Sequence, residues 1–374
     1  MAEVNYANNP VFKNYDPAQL VKQSNPEGRI VPLISVEGTA YECGQHYAEI
    51  VMSKYPGFRE YLDLTWDWRE LPAESKKMIE ARAPHLLDVY RGVSDVCGPP
   101  QNLQPTKGGQ APFSKRTEKG ASPPGCTSFS VHGKCTLDGN YISGQTKDTG
   151  LNRVQRYIVL RMKIKDAPAI LALAYPGEIL GYGFWSTGMS LFRNSLYVSN
   201  ASERGLRNIG SYMALSSKSI HEVVELAQKY GVRGMGNQLI TDPQGEAVSI
   251  EASAAGPGFI YPKNGICTHA NHAEAEKVRD FEKFAFPTQK EESQWRMHGL
   301  WQRLNEDNGR LTPQKVFMCL ADHTIYPRGI CKHLMFDEIC TTAAVVVEPT
   351  RGKLHVVLGQ PCCNWPVTYA LSDQ

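Results

Sequence analysis

The spacing of hydrophobic positions changes along the chain, and it predicts the elements. Residues 31–36 read as a short strand, followed by Glu37-Gly38-Thr39 and a helical stretch from about Tyr41. Over 72–97, Met78, Ile79, Arg82, Leu86, Val89, Tyr90 and Val93 recur at three- and four-residue steps, which predicts a helix kinked at Pro84. After Cys126 the period shortens to two. Residues 126–131, 141–147, 155–164 and 169–175 read as strands separated by turns such as Asp138-Gly139-Asn140, with 191–199 a further candidate. Ser219-Ile220-His221-Glu222 opens a helix in capping-box form that stops at Gly231, and strands return at 238–241 and 247–252. Two more helices are expected. One covers about 292–304 with Trp295, Leu300, Trp301 and Leu304 on its apolar stripe, and one starts at Thr312-Pro313. Residues 343–348, the turn Pro349-Thr350-Arg351-Gly352 and residues 354–358 have the pattern of a hairpin. Consecutive strands with helices grouped between them predict an α+β fold of stacked antiparallel sheets covered by helices.

Between these halves, residues 98–125 are rich in proline and glycine and carry little to bury, which predicts an exposed linker. The organisation expected is a mainly helical segment over 1–97, the linker over 98–125, and a core over 126–374. Of the 374 residues 41% are hydrophobic and 21% charged, enough for a sizeable core and too ordered a composition for a disordered chain. The formal charge of +2 gives no basic excess for a nucleic-acid partner. No run of about 18 apolar residues would cross a membrane. The polar start lacks the order of a secretory signal and the end lacks a peroxisomal or lipidation signature, so the cytoplasm is the expected compartment. The ten irregularly spaced cysteines then read as reduced thiols. No C-x-x-C occurs, and Cys43-x-x-His46 lacks a second half, so no metal or other cofactor is expected.

One cysteine stands apart. Gly125-Cys126 lies where the linker meets a strand of core composition. Glycine leaves the backbone free to adopt unusual dihedrals and leaves the preceding carbonyl open to attack. An N-to-S acyl shift there would give a thioester, and hydrolysis would free Cys126 as a new chain start. Its α-amine, with an ordinary pKa of about 7.7–8.0, then supplies a general base beside the thiol without any histidine.

These residues resemble the isopenicillin N acyltransferase family of self-cleaving N-terminal-nucleophile proteins. The resemblance runs from Val31 to about Leu371, the linker excepted. It is carried by Val36-Glu37-Gly38-Thr39-Ala40-Tyr41-Glu42-Cys43-Gly44, Gly125-Cys126-Thr127-Ser128, Gly144-Gln145-Thr146-Lys147-Asp148, Gly183-Phe184-Trp185-Ser186-Thr187-Gly188 with Asn194, Thr268-His269-Ala270-Asn271-His272, and Tyr326-Pro327-Arg328-Gly329-Ile330-Cys331-Lys332 with Leu358-Gly359-Gln360-Pro361. It implies a four-layer αββα fold, autocatalytic cleavage between Gly125 and Cys126, and two fragments that stay associated. It implies Cys126 as nucleophile, Asp148 in the network around its amine, and Asn271, aided by Asn194 or a backbone amide, as oxyanion donor. Where the family has serine and arginine, this chain has Gly329 and Lys332. A lysine supplies the charge but not the planar fork of arginine.

The expected activity is cleavage of a small non-peptide N-acyl amide, with acyl transfer to an amine as an alternative and an uncleaved binding module as a second. Thr127 and Ser128 are expected to contact substrate. Tyr182, Phe184 and Trp185 either line its pocket or pack the hairpin. A serine or papain-like hydrolase lacks its motif here, and His269, His272, Glu274 and Glu276 lack the H-E-x-x-H spacing of a metalloprotease.

Overall fold

A computed structural model describes residues 30–55, 73–98, 125–199, 216–232, 236–284, 287–324, 329–334 and 339–372. The linker between residues 98 and 125, Pro72, and Tyr326-Pro327-Arg328 of the late motif lie outside the described residues. In chain order the elements are β1 (Leu33–Gly38), α1 (Ala40–Lys54), α2 (Ala73–Arg82), α3 (Pro84–Cys97), β2 (Cys126–Val131), β3 (Ile142–Gly150), β4 (Ile158–Ile164), β5 (Ile170–Ala174), β6 (Tyr182–Trp185) and β7 (Ser190–Asn194). Then come α4 (Ile220–Tyr230), β8 (Gly236–Thr241), β9 (Ala247–Ala252), β10 (Gly258–Ile260), β11 (Ile266–His269), α5 (Glu276–Arg279), α6 (Pro287–Glu306) and α7 (Pro313–Leu320). The chain closes with β12 (Ile339–Glu348), β13 (Lys353–Leu358) and β14 (Val367–Ala370).

Eight strands form one sheet in the order β1-β4-β5-β6-β7-β8-β9-β10, and six form the other in the order β11-β2-β3-β12-β13-β14. All pairings are antiparallel except β1 with β4. The period-two alternation of the strands sorts their side chains into distinct cores. Leu160, Met162 and Ala172 of the larger sheet face α1, α3 and α4 with Val51, Leu86 and Val223. Val159, Leu171 and Phe192 of the same sheet face the smaller one, against Ala343, Val345 and Val356. Phe129, Val131, Ala344 and Val346 face α6 and α7 with Leu300, Leu304 and Val316. Helix, sheet, sheet, helix: the four-layer α+β arrangement is therefore present in the packing.

The helix expected over 72–97 is two helices. Pro84 disfavours the helical region for the residue before it, and Ala83 sits at φ −145°, ψ 55°, so α2 ends there and α3 begins with proline in its first turn. The described part of the first hundred residues also supplies β1 to the large sheet, so it is built into the fold.

The stripe expected on α6 is displaced. Trp295 is 60% exposed, and the buried positions are Ser293, Arg296, Met297, Leu300 and Leu304. Positions 296, 300 and 304 follow one another at four-residue steps, as an apolar stripe should, but the first is an arginine. An apolar search passes over it.

α1 and α3 meet backbone to backbone. A Cβ on Gly44 would lie 2.1 Å from the Val89 carbonyl oxygen, and one on Gly92 would lie 2.1 Å from that of Tyr41. Gly92→Ala is therefore expected to force the helices apart at a cost of about 1–3 kcal/mol. Gly299 of α6 has open space around its Cβ position, and Gly299→Ala should stabilise by about 0.5–1 kcal/mol. Urea unfolding midpoints of the two variants should move in opposite directions from wild type.

Candidate active site

The site lies at one end of the six-stranded sheet, where β2 begins, β3 and β11 end, and β12 begins. In the β2–β3 ladder Cys126 sits opposite Lys147. The ladder reaches one rung further back, since the Asp148 amide donates to the Gly125 carbonyl at 2.9 Å. Thr341 of β12 pairs with Asp148 from the other side. Asn271 follows β11, and therefore stands beside the start of its neighbour β2.

Arg296, only 2% exposed, ties these ends together. Its Nη1 donates to the Cys126 carbonyl and to Thr127 Oγ1, each at 2.8 Å, and its Nη2 donates to Asn271 Oδ1 at 2.8 Å. Glu292, one turn back on α6, lies 3.8 Å from its Nε. Glu292 also pairs with Lys332 Nζ at 3.2 Å. Lys332 in turn holds Thr341 through both backbone groups: its amide donates to Thr341 Oγ1 at 2.8 Å and its carbonyl accepts from the Thr341 amide at 2.9 Å.

Asn271 is oriented by its partners. Its side-chain oxygen accepts from the Cys126 amide at 3.1 Å as well as from Arg296, and only an oxygen can accept both. Its nitrogen donates to the Ser195 carbonyl at 2.8 Å. The amide group expected to donate to an oxyanion thus presents its acceptor end to Cys126. The backbone of this loop is held by Ser293 Oγ, which accepts from the Asn271 and His272 amides at 2.7 and 3.0 Å. With both lone pairs used, Ser293 donates its proton to His272 Nδ1, 2.8 Å away, which leaves His272 Nε2 to donate to Glu274 at 2.8 Å. His269 pairs instead with the buried Glu251 at 2.7 Å. The two histidines therefore serve separate carboxylates.

Asn194, on β7 of the other sheet, donates to Ser128 Oγ at 2.8 Å and to the His269 carbonyl at 3.0 Å. Both protons of its amide are committed, so it braces the two sheets together. Thr127 and Ser128 are fully buried and engaged by Arg296 and Asn194, so neither is open to a substrate. Phe184 and Trp185 are likewise not pocket residues. As neighbours on a strand they point to opposite faces, Phe184 into the core between the sheets and Trp185 into the core under the helices. Tyr182 does reach the site: Lys147 Nζ lies 3.6 Å from its ring centroid, a cation–π contact. A surface cleft of about 550 Å³ lined by His132, His221, Asp242, Glu246 and Tyr261 shares no residue with this site.

Burial sets the proton affinities. It pushes the Cys126 thiol up, against the pull of Lys147, the Asp148 amide and Arg296. It also pushes Asp148 up to about 6, with Arg296, Lys332 and the 2.8 Å hydrogen bond from Thr341 opposing. Only one Asp148 oxygen has that partner. Oδ2 is buried without a hydrogen bond and would lie 3.1 Å from a Cβ on residue 125. A side chain there would press on Asp148 Oδ2 and on Arg296 Nη2, so glycine fits. Burial pushes the Tyr197 hydroxyl up too, with the charges of Arg296, Glu292, Cys126 and Asp148 acting on it.

Arg296, Lys147, Glu292, Tyr197 and Thr341 were not singled out from the sequence. For Arg296 a signal existed, a charged residue in step with Leu300 and Leu304. For Lys147 it was adjacency to Asp148 at the end of a strand.

Because the folded Asp148 binds its proton near pH 6 and an unfolded aspartate near 3.8, the folded state binds more protons between those values. Its contribution to stability falls as pH rises through that window, and the penalty is complete above about 6. In a Cys126→Ala background, the stability gained by Asp148→Asn should be larger at pH 7 than at pH 4 in urea titrations. An equal difference at both pH values would mean that the carboxylate does not titrate there.

Residues 137–362 match the family model described as acyl-coenzyme A:6-aminopenicillanic acid acyl-transferase, more than half of the chain. The matched range holds Asp148, Asn194, Asn271, Arg296 and Lys332 and begins after Cys126. No curated protein matches by sequence. Among solved structures the chain is similar to a mutant conjugated bile acid hydrolase from Clostridium perfringens, at 10% identity and a TM-score of 0.42 over 65% of this chain and 96% of that one. It is similar to the N-acylethanolamine-hydrolyzing acid amidase ortholog of Caenorhabditis elegans, at 13% identity and 0.42 over 60% and 93%. The penicillin V acylase of Agrobacterium tumefaciens gives 11% and 0.38 over 62% and 82%. Likeness at this level says nothing of substrate. The family match over the very residues that surround the buried cysteine leads to one conclusion: the chain belongs to the acyl-coenzyme A:6-aminopenicillanic acid acyl-transferase family of enzymes.

Proposed function

We propose that this protein is made as a precursor, cleaves itself between Gly125 and Cys126, and then hydrolyses a small N-acyl amide through a thioester on Cys126. One observation carries the reading. The Gly125–Cys126 peptide sits at the head of a core strand with its carbonyl on a backbone donor, its nitrogen on Asn271 and an unpartnered carboxylate oxygen beside it.

Before cleavage no α-amine exists to take the thiol proton. Asp148 has a free oxygen and a pKa of about 6, close to the range in which a general base works at neutral pH. It accepts the proton as Cys126 Sγ bonds to the Gly125 carbonyl carbon. The oxyanion forms on the oxygen that already accepts from the Asp148 amide at 2.9 Å, within the range for transition-state donors. The proton then passes to the Cys126 nitrogen as the C–N bond breaks. Water opens the thioester, Gly125 leaves as a carboxylate, and Cys126 keeps its thiol with a free amine.

The freed amine remains within reach of Asn271 Oδ1, so Asn271 anchors the base; this replaces its expected role as oxyanion donor. Loss of Gly125 leaves the Asp148 amide without its acceptor, and a substrate carbonyl completes the same rung. The acyl carbon next to that carbonyl then lies where the Gly125 Cα lay. Lys147, opposite Cys126 in the ladder, borders the position with its ammonium on the ring of Tyr182 from the other sheet. The two fragments stay associated, since β1 pairs with β4 along six residues and α1 and α3 cover the large sheet.

Acyl transfer to an amine uses the same thioester, and the name of the matching family model favours it as the second reading. Added amine then competes with water for one intermediate, and the ratio of amide to acid products separates the two.

Wild type is expected to give two co-eluting fragments on a denaturing gel, with the larger starting at Cys126 by mass spectrometry. Cys126→Ala should give one uncleaved band and no turnover. A single intact chain in wild type would overturn the proposal and leave a binding module. Among acyl donors such as N-phenylacetyl and N-β-alanyl amines, those with CH2 beside the carbonyl should exceed their α-methyl analogues at least tenfold in kcat/KM. The reason is that a substituent there meets Asp148 Oδ2 as a side chain on residue 125 would. Equal values would show that the acyl group binds elsewhere.

A further inference from the structure

His323, Cys331, His333 and Cys362 come from segments that share no element. His323 lies just after α7, Cys331 and His333 flank Lys332, and Cys362 lies in the turn after β13. Their ligand-type atoms nevertheless all fall within 4.8 Å of one another. We propose that these four side chains form a tetrahedral zinc site that is separate from the nucleophile.

The distances fit that ion. With Zn–N about 2.0–2.1 Å and Zn–S about 2.3 Å at tetrahedral angles, the edges of the ligand tetrahedron are about 3.3–3.4 Å for N–N and about 3.5–3.6 Å for N–S. Here His323 Nε2 is 3.0 Å from His333 Nε2, and His333 Nε2 is 3.3 Å from Cys362 Sγ and 3.8 Å from Cys331 Sγ. Hydrogen bonding does not account for the cluster. Three groups converge on His333 Nε2, which has either one lone pair or one proton to offer. A cation at the centre gives all four atoms one shared partner. The imidazole planes are inclined at 46° instead of lying parallel, as two rings pointing at a common centre do.

Two nitrogens and two thiolates make up a closed structural set, with no position left for water, and they select zinc over the hard cations that take oxygen ligands. Cys331 is buried, the histidines are half-buried and Cys362 is exposed, so the ion has a route in from the surface. Binding displaces two thiol protons to solvent and requires both histidines neutral.

The position gives the ion a purpose. Lys332 is held between two of the ligands, and its side chain leaves the other way to Glu292 while its backbone clasps Thr341, the donor to Asp148. A metal at this point ties the end of α7, the Lys332 segment and the turn after β13 into one body behind the catalytic carboxylate. It acts on the site through positioning.

Full-length protein purified without chelator from zinc-supplemented medium should hold about one zinc per chain by elemental mass spectrometry. His323→Ala and Cys362→Ser should each lower that content at least tenfold. Cobalt(II) exchanged into wild type should show the intense visible bands of tetrahedral coordination and a thiolate charge-transfer band, the latter weakened by Cys362→Ser. A strong chelator should lower the melting temperature of wild type and leave that of His323→Ala unchanged. None of these readouts depends on self-cleavage, so they stand apart from the test of the proposed activity. Wild type with less than a tenth of an equivalent of zinc after incubation with zinc chloride would overturn the site. So would intact mass and peptide mapping that show Cys331 joined to Cys362 as a disulfide in the native protein.

Discussion

A guanidinium removed from water must be satisfied where it stands, because a buried cation without partners costs several kcal/mol. The end of the six-stranded sheet is arranged around that demand. Arg296 takes the Cys126 carbonyl, Thr127 and Asn271 as acceptors and has Glu292 one turn away on its own helix. The same three hydrogen bonds fix the start of β2, the loop after β11 and the face of α6 relative to one another. Removing that cation would release all three at once.

Around this clamp the charges alternate. Asp148 lies between the fields of Arg296 and Lys332, and Glu292 bridges the two cations. Burial opposes ionisation of both Cys126 and Asp148, so each holds its proton to a higher pH than it would in water. The proposed self-cleavage would exchange a buried peptide nitrogen for an amine and so give the thiol a base that the intact chain does not contain.

The supports of this site are shared between layers. Asn194 reaches across from the larger sheet to Ser128 and His269, and the β12 irregularity between Thr341 and Ala343 gives consecutive threonines different tasks. Thr341 donates to Asp148, while Thr342 donates to the Lys147 carbonyl. The proposed metal would fasten the loop that contributes Lys332 without belonging to either sheet.

Local order was legible from the residues alone. Period two and period 3.6 placed the longer helices and most strands but passed over the short β6, β10, β11, β14 and α5, Pro84 marked the break between α2 and α3, and Gly125-Cys126 stood out as a candidate nucleophile at a strand start. Those features act over a few neighbouring residues, so they leave a trace in short windows of sequence. The family resemblance carried the layer order and pointed to Asp148 and Asn271, which the packing brings to the Gly125–Cys126 peptide. Arg296 lay hidden because a stripe search rewards apolar residues and credited Trp295, which faces solvent. Phe184 and Trp185 looked like one aromatic patch until the strand sent them to opposite faces. Which end of Asn271 meets Cys126, and whether His323 meets Cys362, are matters of distances between segments far apart in the chain. Hydrogen-bond direction and ligand geometry depend on such distances to within a few tenths of an ångström, so only the packed tertiary structure decides them.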